Sequence, residues 1–139
     1  MISLEDAKRK PIPAPDADTN AFWLGMRNSQ LLLQYCGDCG NVQYYQQGLC
    51  RDCGGENLLH RPASGRGKVY SFSVVHRAPG PAFKVDVPYA VLLVELKEGP
   101  RMISTYIGGS PQDVTFDMDV ELVFEAITDE ITLPRFRRP

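Results

Sequence analysis

The chain has 139 residues, of which 43% are hydrophobic, and its formal net charge is −2. This length allows one compact domain and a small metal-stapled module, but not two full-sized domains. The slightly acidic balance argues against a strongly basic nucleic-acid surface, and no apolar run reaches the roughly 20 residues that span a bilayer. Because the amino terminus shows no basic stretch followed by an apolar run, we expect a soluble, cytoplasmic protein.

The amino-terminal region is predicted to be a partly extended arm followed by a short helix. Prolines alternate between residues 11 and 15, which disfavours a continuing helix. A helix is predicted over residues 21–27, in which Phe22 and Met26 lie one turn apart. Phe22 and Trp23 are expected either to pack on the core of this chain or to dock onto a partner, and the sequence leaves both open.

All four cysteines lie in two identical CxxCG motifs, at residues 36–40 and 50–54. Each pair can form a tight knuckle, and the glycine after it can adopt the positive φ that turns backbone amides toward the thiolates. We interpret the spacing as a structural zinc site. Four thiolates would fill its coordination shell and leave no open position for catalysis. Its ligands would be Cys36, Cys39, Cys50 and Cys53.

Other interpretations of the cysteines are weaker. Two disulfides would require an oxidising compartment, for which the amino terminus shows no export signal. A single thioredoxin-like redox pair would leave the second motif unexplained. Iron remains an alternative metal, because a tetrahedral four-thiolate site also accepts iron.

Strands around the knuckles predict a zinc ribbon of about 30 residues, too small to fold by apolar burial alone. After Pro62 the pattern changes to five short strands bounded by glycine and proline, which predict a small closed β-barrel. An OB-fold is the leading form of this barrel, followed by an SH3-like barrel or a sandwich. The predicted strands cover residues 68–75, 89–96, 101–107, 120–127 and 131–136.

The fold class is therefore mainly β, with three predicted parts. An amino-terminal arm with its short helix occupies residues 1–30, the zinc ribbon residues 31–60, and the barrel residues 61–139. In the first barrel strand, alternation places Tyr70 and Phe72 on one face. The residues before it, 65–67, allow a bend at a barrel corner because their glycines lack side chains.

Candidate binding residues gather around the longest barrel loop, residues 76–88, whose three prolines limit its freedom. For an anionic ligand such as a nucleotide-containing thioester, the cations near this loop and before the first barrel strand are candidate phosphate contacts. Neither histidine forms a recognisable nucleophile arrangement in the sequence, so no catalytic residue is predicted. The ligand-binding or partner-facing candidates are Arg66, Lys68, His76, Arg77, Phe83 and Lys84, and the partner-docking candidates are Phe22, Trp23 and Phe136.

From the residues alone, two binding functions remain open. A ribbon joined to an OB-like barrel can bind single-stranded nucleic acid by aromatic stacking in a cationic groove. The negative net charge argues against this, which makes nucleic acid the less favoured partner. The other function is a barrel that binds a small molecule or a protein through its proline-rich loop and cationic tail.

The order of these motifs resembles the zinc-ribbon and OB-fold family of acyl-CoA-associated proteins, long known only as a domain of unknown function. The landmarks are the segments 22–23, 31–40, 49–54, 64–77, 88–89, 94–96, 98–99 and 133–137. The resemblance implies a helical arm, a rubredoxin-like zinc ribbon and a carboxy-terminal OB-fold. Family members are typically non-catalytic companions of thiolases and of thiolase-like acyltransferases or aldolases.

What the resemblance implies for this chain is a small subunit of a thiolase-type hetero-oligomer that handles a CoA thioester. The partner would supply the catalytic groups, and an aryl-substituted 3-oxoacyl-CoA is one specific expectation. The loop 76–88 would meet the partner's active-site mouth or the acyl-CoA. One departure is visible: relatives usually have a Gly-Met-Pro-Val-like turn where this chain has residues 117–120, Asp-Met-Asp-Val. That departure concerns the turn geometry and not the fold.

Overall fold

The computed structural model describes residues 10–139, and residues 1–9 of the predicted arm lie outside this range. The described part begins with a stretch that has no regular secondary structure, followed by a helix, α1, which spans Asn20–Arg27. An antiparallel three-stranded sheet follows, in the order β2-β1-β3. Its strands are β1 (Leu32–Cys36), β2 (Val42–Gln43) and β3 (Leu58–Pro62).

Helix α1 is held in place by hydrogen bonds in the turn before it and by the burial of its inner face. Before it, the Asp16 carboxylate accepts hydrogen bonds from the Thr19 backbone N–H (2.8 Å) and hydroxyl (2.9 Å). These bonds from Thr19 hold the pKa of Asp16 below its ordinary value. On the inner face, Phe22 and Met26 are buried, as one turn of spacing predicts. The helix is therefore part of the core and not a free arm.

The second sheet is the predicted barrel. Its five strands are antiparallel neighbours in the order β6-β5-β4-β7-β8, and a parallel bridge from Tyr106 to Phe136 brings β6 back to β8. This nearly closed Greek-key barrel is the OB-fold that the sequence favoured. The strands are β4 (Arg66–Val75), β5 (Tyr89–Leu96), β6 (Arg101–Thr105), β7 (Asp119–Ala126) and β8 (Thr132–Arg137).

Strand β4 bends in two places. At Gly67 it pairs with both β5 and β7, and a Cβ there would lie 2.6 Å from the Glu95 carbonyl oxygen. The register then shifts between Val69 and Ser71, so a bulge interrupts the alternation predicted for this strand. Val69, before the bulge, is fully buried, whereas Tyr70 is 49% exposed, with the Arg101 guanidinium 3.7 Å from its ring centre.

Ribbon, helix and barrel share one hydrophobic core. Only three residues separate β3 from β4, and the side chains at the base of the ribbon continue directly into the barrel interior. Fully or almost fully buried members of this core are Met26, Leu31, Leu33, Val69, Leu92, Val94, Met102 and Phe136. The ribbon therefore cannot pivot on the barrel without opening this core.

The connection from β6 to β7 is 13 residues long and turns tightly before β7. It contains one 3₁₀ turn, Pro111–Asp113, capped by Ser110. Asp117 then adopts a left-handed conformation with φ +63°, just before β7. Among residues 10–139, no helix is both long enough and apolar enough to cross a bilayer.

Candidate functional site: a four-cysteine cluster and a surface cleft

The two CxxCG motifs fold into matching knuckles. In the first, the Gly40 N–H donates to the Cys36 carbonyl (2.9 Å); in the second, the Gly54 N–H donates to the Cys50 carbonyl (2.9 Å). The two glycines have φ of +79° and +74°, as the motif predicts. A Cβ at either position would meet nothing within 4 Å, so backbone conformation and not space requires glycine.

The four sulfur atoms converge on one point. All Sγ atoms lie within 4.8 Å of one another, and the Cys36–Cys53 and Cys39–Cys50 pairs are each 3.6 Å apart. A regular tetrahedron with metal–sulfur distances of about 2.3 Å has sulfur–sulfur edges of about 3.8 Å. The donor set therefore fits a four-thiolate metal centre. The thiols are free, which contradicts the disulfide alternative.

The backbone around the knuckles favours ionised sulfur at one position. Hydrogen bonds from the Cys53 and Asp52 N–H groups lower the pKa of Cys50 to about 6, against the effect of burial. For Cys39 the Asn41 N–H lowers the pKa, but burial and the neighbouring sulfurs outweigh it and raise the pKa to about 12. Adjacent thiolates repel one another, so a bound cation is what allows all four to ionise.

Three glutamines, which sequence reasoning did not single out, hold the segment between the knuckles. The Gln34 side chain accepts from Gln43 Nε2 (2.7 Å) and the Gln47 N–H (3.0 Å), and it donates to the Gln47 carbonyl (2.9 Å). Gln43 in turn accepts from the Arg51 N–H at the second knuckle (3.1 Å). Their signal in the sequence is the placement of Gln34 and Gln43 on strands where buried apolar residues would be expected.

The third glutamine explains the histidine beside the ribbon. Gln46 donates to the Leu32 carbonyl (3.0 Å), and its Oε1 lies 2.8 Å from His60 Nε2. His60 therefore joins β3 to the segment that follows β2.

A cleft of about 700 Å³ opens where the ribbon meets the barrel. Its floor is the outer face of β5, β6 and β8, and its walls are Tyr44 of the ribbon and part of the 76–88 loop. On OB-folds this face and the adjoining loops commonly bind ligands. The floor combines aliphatic Val91, Ile103 and Leu133 with the polar side chains of Ser104, Thr105 and Arg135.

The charged groups of the cleft are already paired. Lys10 Nζ lies 2.7 Å from the Asp86 carboxylate and 5.8 Å from the centre of the Phe83 ring. Arg135 donates to the Thr105 hydroxyl (2.7 Å) and lies 3.5 Å from the Glu125 carboxylate. The cleft therefore presents two ion pairs and not an unpaired positive field.

The structure separates the predicted ligand-binding residues. Only Phe83 lines the cleft. Lys68 is at the start of β4, 3.3 Å from Asp119, whereas Arg77 follows the far end of that strand. At about 3.3 Å per residue, the length of β4 places Lys68 and Arg77 on the order of 20 Å apart, too far for both to contact one diphosphate. All five side chains are exposed: Arg66 and Lys68 lie at the start of β4, and His76, Arg77 and Lys84 lie in the 76–88 loop.

The predicted docking residues also divide. Phe136 has no exposed surface and Phe22 is 7% exposed, so both side chains belong to the core of this chain. For Phe136 this corrects the docking role, because an enclosed side chain offers no surface to a partner. Trp23 is half-buried, with its ring centre 4.9 Å from that of Phe22, and its docking role stays a prediction.

Fold and site together define a zinc-ribbon protein with an OB-fold barrel. The chain matches the model of the ChsH2 rubredoxin-like zinc ribbon domain over residues 26–58 and that of the ChsH2 C-terminal OB-fold domain over residues 60–125. It therefore belongs to the ChsH2-type, or DUF35, family. Both matches confirm the resemblance inferred from the order of the sequence motifs.

Relatives in this family carry names from acyl-CoA metabolism and assembly. A probable enoyl-CoA hydratase alpha subunit of Thermomonospora curvata is 37% identical over 92% of this chain, which spans 40% of that relative's length. A DUF35 domain-containing scaffold protein of Methanocaldococcus jannaschii is 36% identical over 68% of this chain and 67% of its own. The benzoylsuccinyl-CoA thiolase subunit BbsA of Thauera aromatica is 32% identical over 68% of this chain and 62% of its own.

A solved structure shows the same architecture. The chain from the structure described as the Ltp2-ChsH2(DUF35) aldolase superimposes with a TM-score of 0.81 and 34% sequence identity. The match covers 91% of this chain and 98% of that chain. The arrangement of helix, ribbon and barrel is therefore common to both.

Proposed function

We propose that this chain is a non-catalytic, zinc-containing subunit of a thiolase-type complex that acts on a CoA thioester. In this role it supports assembly with the catalytic subunit and binding of the acyl-CoA. The observation that carries the proposal is the closed cysteine cluster fused to an OB-fold with an open cleft. Relatives named as subunits of a thiolase and of a hydratase, and the neighbour named as an aldolase complex, support the setting.

The described side chains also support a non-catalytic role. Four sulfurs would complete a zinc shell and leave no position for substrate. Within residues 10–139, His60 hydrogen-bonds an amide, and His76 is exposed at a strand end without a nucleophile or carboxylate partner. The reacting groups would then come from the partner, in the cytoplasm, where free thiols persist.

Among thioesters, we propose an aryl-substituted 3-oxoacyl-CoA as substrate of the complex. The name of the Thauera relative, which contains a benzoyl-substituted acyl-CoA, supports this choice. The nucleic-acid alternative has less support, because the cations of the cleft are paired with carboxylates and the net charge of the chain is −2.

Affinity purification of the tagged chain from its native cells tests the partner. We expect mass spectrometry to recover a thiolase or thiolase-like enzyme, and the purified complex to cleave or form a CoA thioester. The chain by itself should show no thioester cleavage. Recovery of nucleic acid with ribosomal or replication proteins, and no thiolase, would sink the proposal, as would turnover by the chain alone.

Elemental analysis tests the metal. We expect about one zinc per chain, with Cys36→Ser abolishing it and unfolding the ribbon, because the ribbon is too small to fold without its metal. Leu49→Ser, one residue before Cys50 and 49% exposed, is the matched control and should retain zinc. Iron in place of zinc, or full ribbon order in the Cys36→Ser protein, would contradict a structural zinc site.

A further inference from the structure

We propose that the cleft at the ribbon–barrel junction binds the apolar acyl end of the thioester, while the nucleotide end lies outside it. This inference rests on the proposed function, because it assumes that the ligand is an acyl-CoA. It goes further by assigning one half of that ligand to one surface, a surface that includes only Phe83 of the binding residues predicted from the sequence.

Charge is the first argument. A diphosphate needs unpaired cations or a cluster of free N–H donors. In the cleft, however, Lys10 is engaged by Asp86 and Arg135 by Glu125. A polyanion here would meet two carboxylates as well as two cations. The exposed cations Arg77 and Lys84, on the loop that walls the cleft but outside its lining, are better placed for phosphates.

Hydrogen bonding is the second argument. The Thr105 hydroxyl accepts from Arg135, and the Ser104 hydroxyl donates to the Pro134 carbonyl (2.8 Å). These bonds tie β6 to β8 along the edge where backbone pairing is limited to one bridge, so they are structural. Because these two hydroxyls are committed to the barrel, the side chains of the floor that remain for a ligand are mainly the aliphatic Val91, Ile103 and Leu133. A hydrocarbon group suits such a surface better than a sugar or a base.

Shape and composition are the third argument. The volume of about 700 Å³ falls within the range of small-molecule sites and exceeds what an acetyl group would fill. Aliphatic Val91, Ile103 and Leu133 form the floor, and the rings of Tyr44 and Phe83 stand at the walls. Aromatic walls around an aliphatic floor favour a ring-containing acyl group, which gains contact with both.

Isothermal titration calorimetry of the full chain tests this assignment. It measures the affinities for three probes: free CoA, acetyl-CoA and 3-phenylpropanoyl-CoA. We expect affinity to rise at least about tenfold from acetyl-CoA to 3-phenylpropanoyl-CoA, because the ring buries apolar surface in the cleft. Ile103→Glu should remove this gain while leaving the affinity for free CoA unchanged. Because Ile103 is 59% exposed, the variant keeps the fold.

Phe116→Glu is the matched control, since Phe116 is 67% exposed and lies outside the cleft, and it should preserve the gain. Equal affinities for the three probes, or a gain that survives Ile103→Glu, would overturn the assignment. So would an Ile103→Glu chain that keeps the gain but no longer captures the catalytic partner, because the cleft would then be a protein interface. If the wild-type chain still captures a thiolase, the subunit role stands even when the acyl site fails.

Discussion

At the scale of single residues, Asp117 occupies a backbone conformation that disfavours most side chains. Its φ of +63° lies in the left-handed region, and its N–H donates to the Val69 carbonyl (2.8 Å) where β4 begins its bulge. The turn therefore carries a conformational cost, which aspartate bears better than most residues.

We expect Asp117→Gly to stabilise the protein by about 0.5–1 kcal/mol, because glycine adopts positive φ without strain. Thermal unfolding should show a correspondingly higher midpoint. Asp119→Gly, two residues later at the start of β7, is the control and should destabilise, since glycine loses more backbone entropy in a strand and the ion pair with Lys68 is removed. A lower midpoint for Asp117→Gly would mean that the carboxylate itself stabilises the turn.

Some features of single residues could be predicted from the sequence and others could not, for a physical reason. The positive φ at Gly40 and Gly54 was predictable, because few backbone conformations form a CxxCG knuckle and they depend only on residues within the motif. The roles of Gln34 and Gln46 were not predictable, because their hydrogen-bond partners are brought near only when the whole ribbon folds. The bulge at Tyr70 was missed for a similar reason: it follows from closing a barrel, which strand alternation does not encode.

At the scale of elements, the ribbon depends on a buried amide as well as on its cysteines. Gln34 is 3% exposed and satisfies three polar groups of neighbouring residues. Since a buried donor or acceptor that loses its partner pays its full desolvation cost, the side chain of Gln34 is expected to matter more than its single hydrogen bonds suggest.

We expect Gln34→Leu, which nearly preserves volume, to lower the free energy of unfolding by about 2–4 kcal/mol. Chemical denaturation of the zinc-loaded protein measures this. Gln47→Leu is the control: the exposed Gln47 takes part through its backbone, so the change should stay within about 0.5 kcal/mol. Equal stability of the two variants would show that the cysteine cluster alone orders the segment.

At the scale of the whole molecule, the helix is a structural part of the barrel domain. Met26 is fully buried and belongs to one cluster with Leu33 of the ribbon and Phe136 of the last strand. The sequence could predict the helix and its apolar face from spacing. The sequence could not tell whether that face packs on this chain or on a partner, because the same residues are buried in either case.

Met26→Ala should therefore destabilise the isolated chain by about 2–5 kcal/mol, because it leaves a cavity in the shared core. Leu24→Ala, on the same helix and 48% exposed, should change stability by less than about 0.5 kcal/mol. Urea unfolding of the two variants beside the wild type gives both values. A Met26→Ala chain as stable as the wild type would return the helix to the role of a docking element.

The contact between α1 and β8 also has a consequence during synthesis. Met26 leaves the ribosome 110 residues before Phe136, its neighbour in the core. At about 5–20 residues per second, roughly 5–20 seconds pass before the last strand exists. For that time the apolar face of α1 lacks its final cover, whereas the ribbon already has all four cysteines and can bind its metal. The nascent chain thus depends on an early, metal-loaded ribbon beside a helix that awaits its last strand.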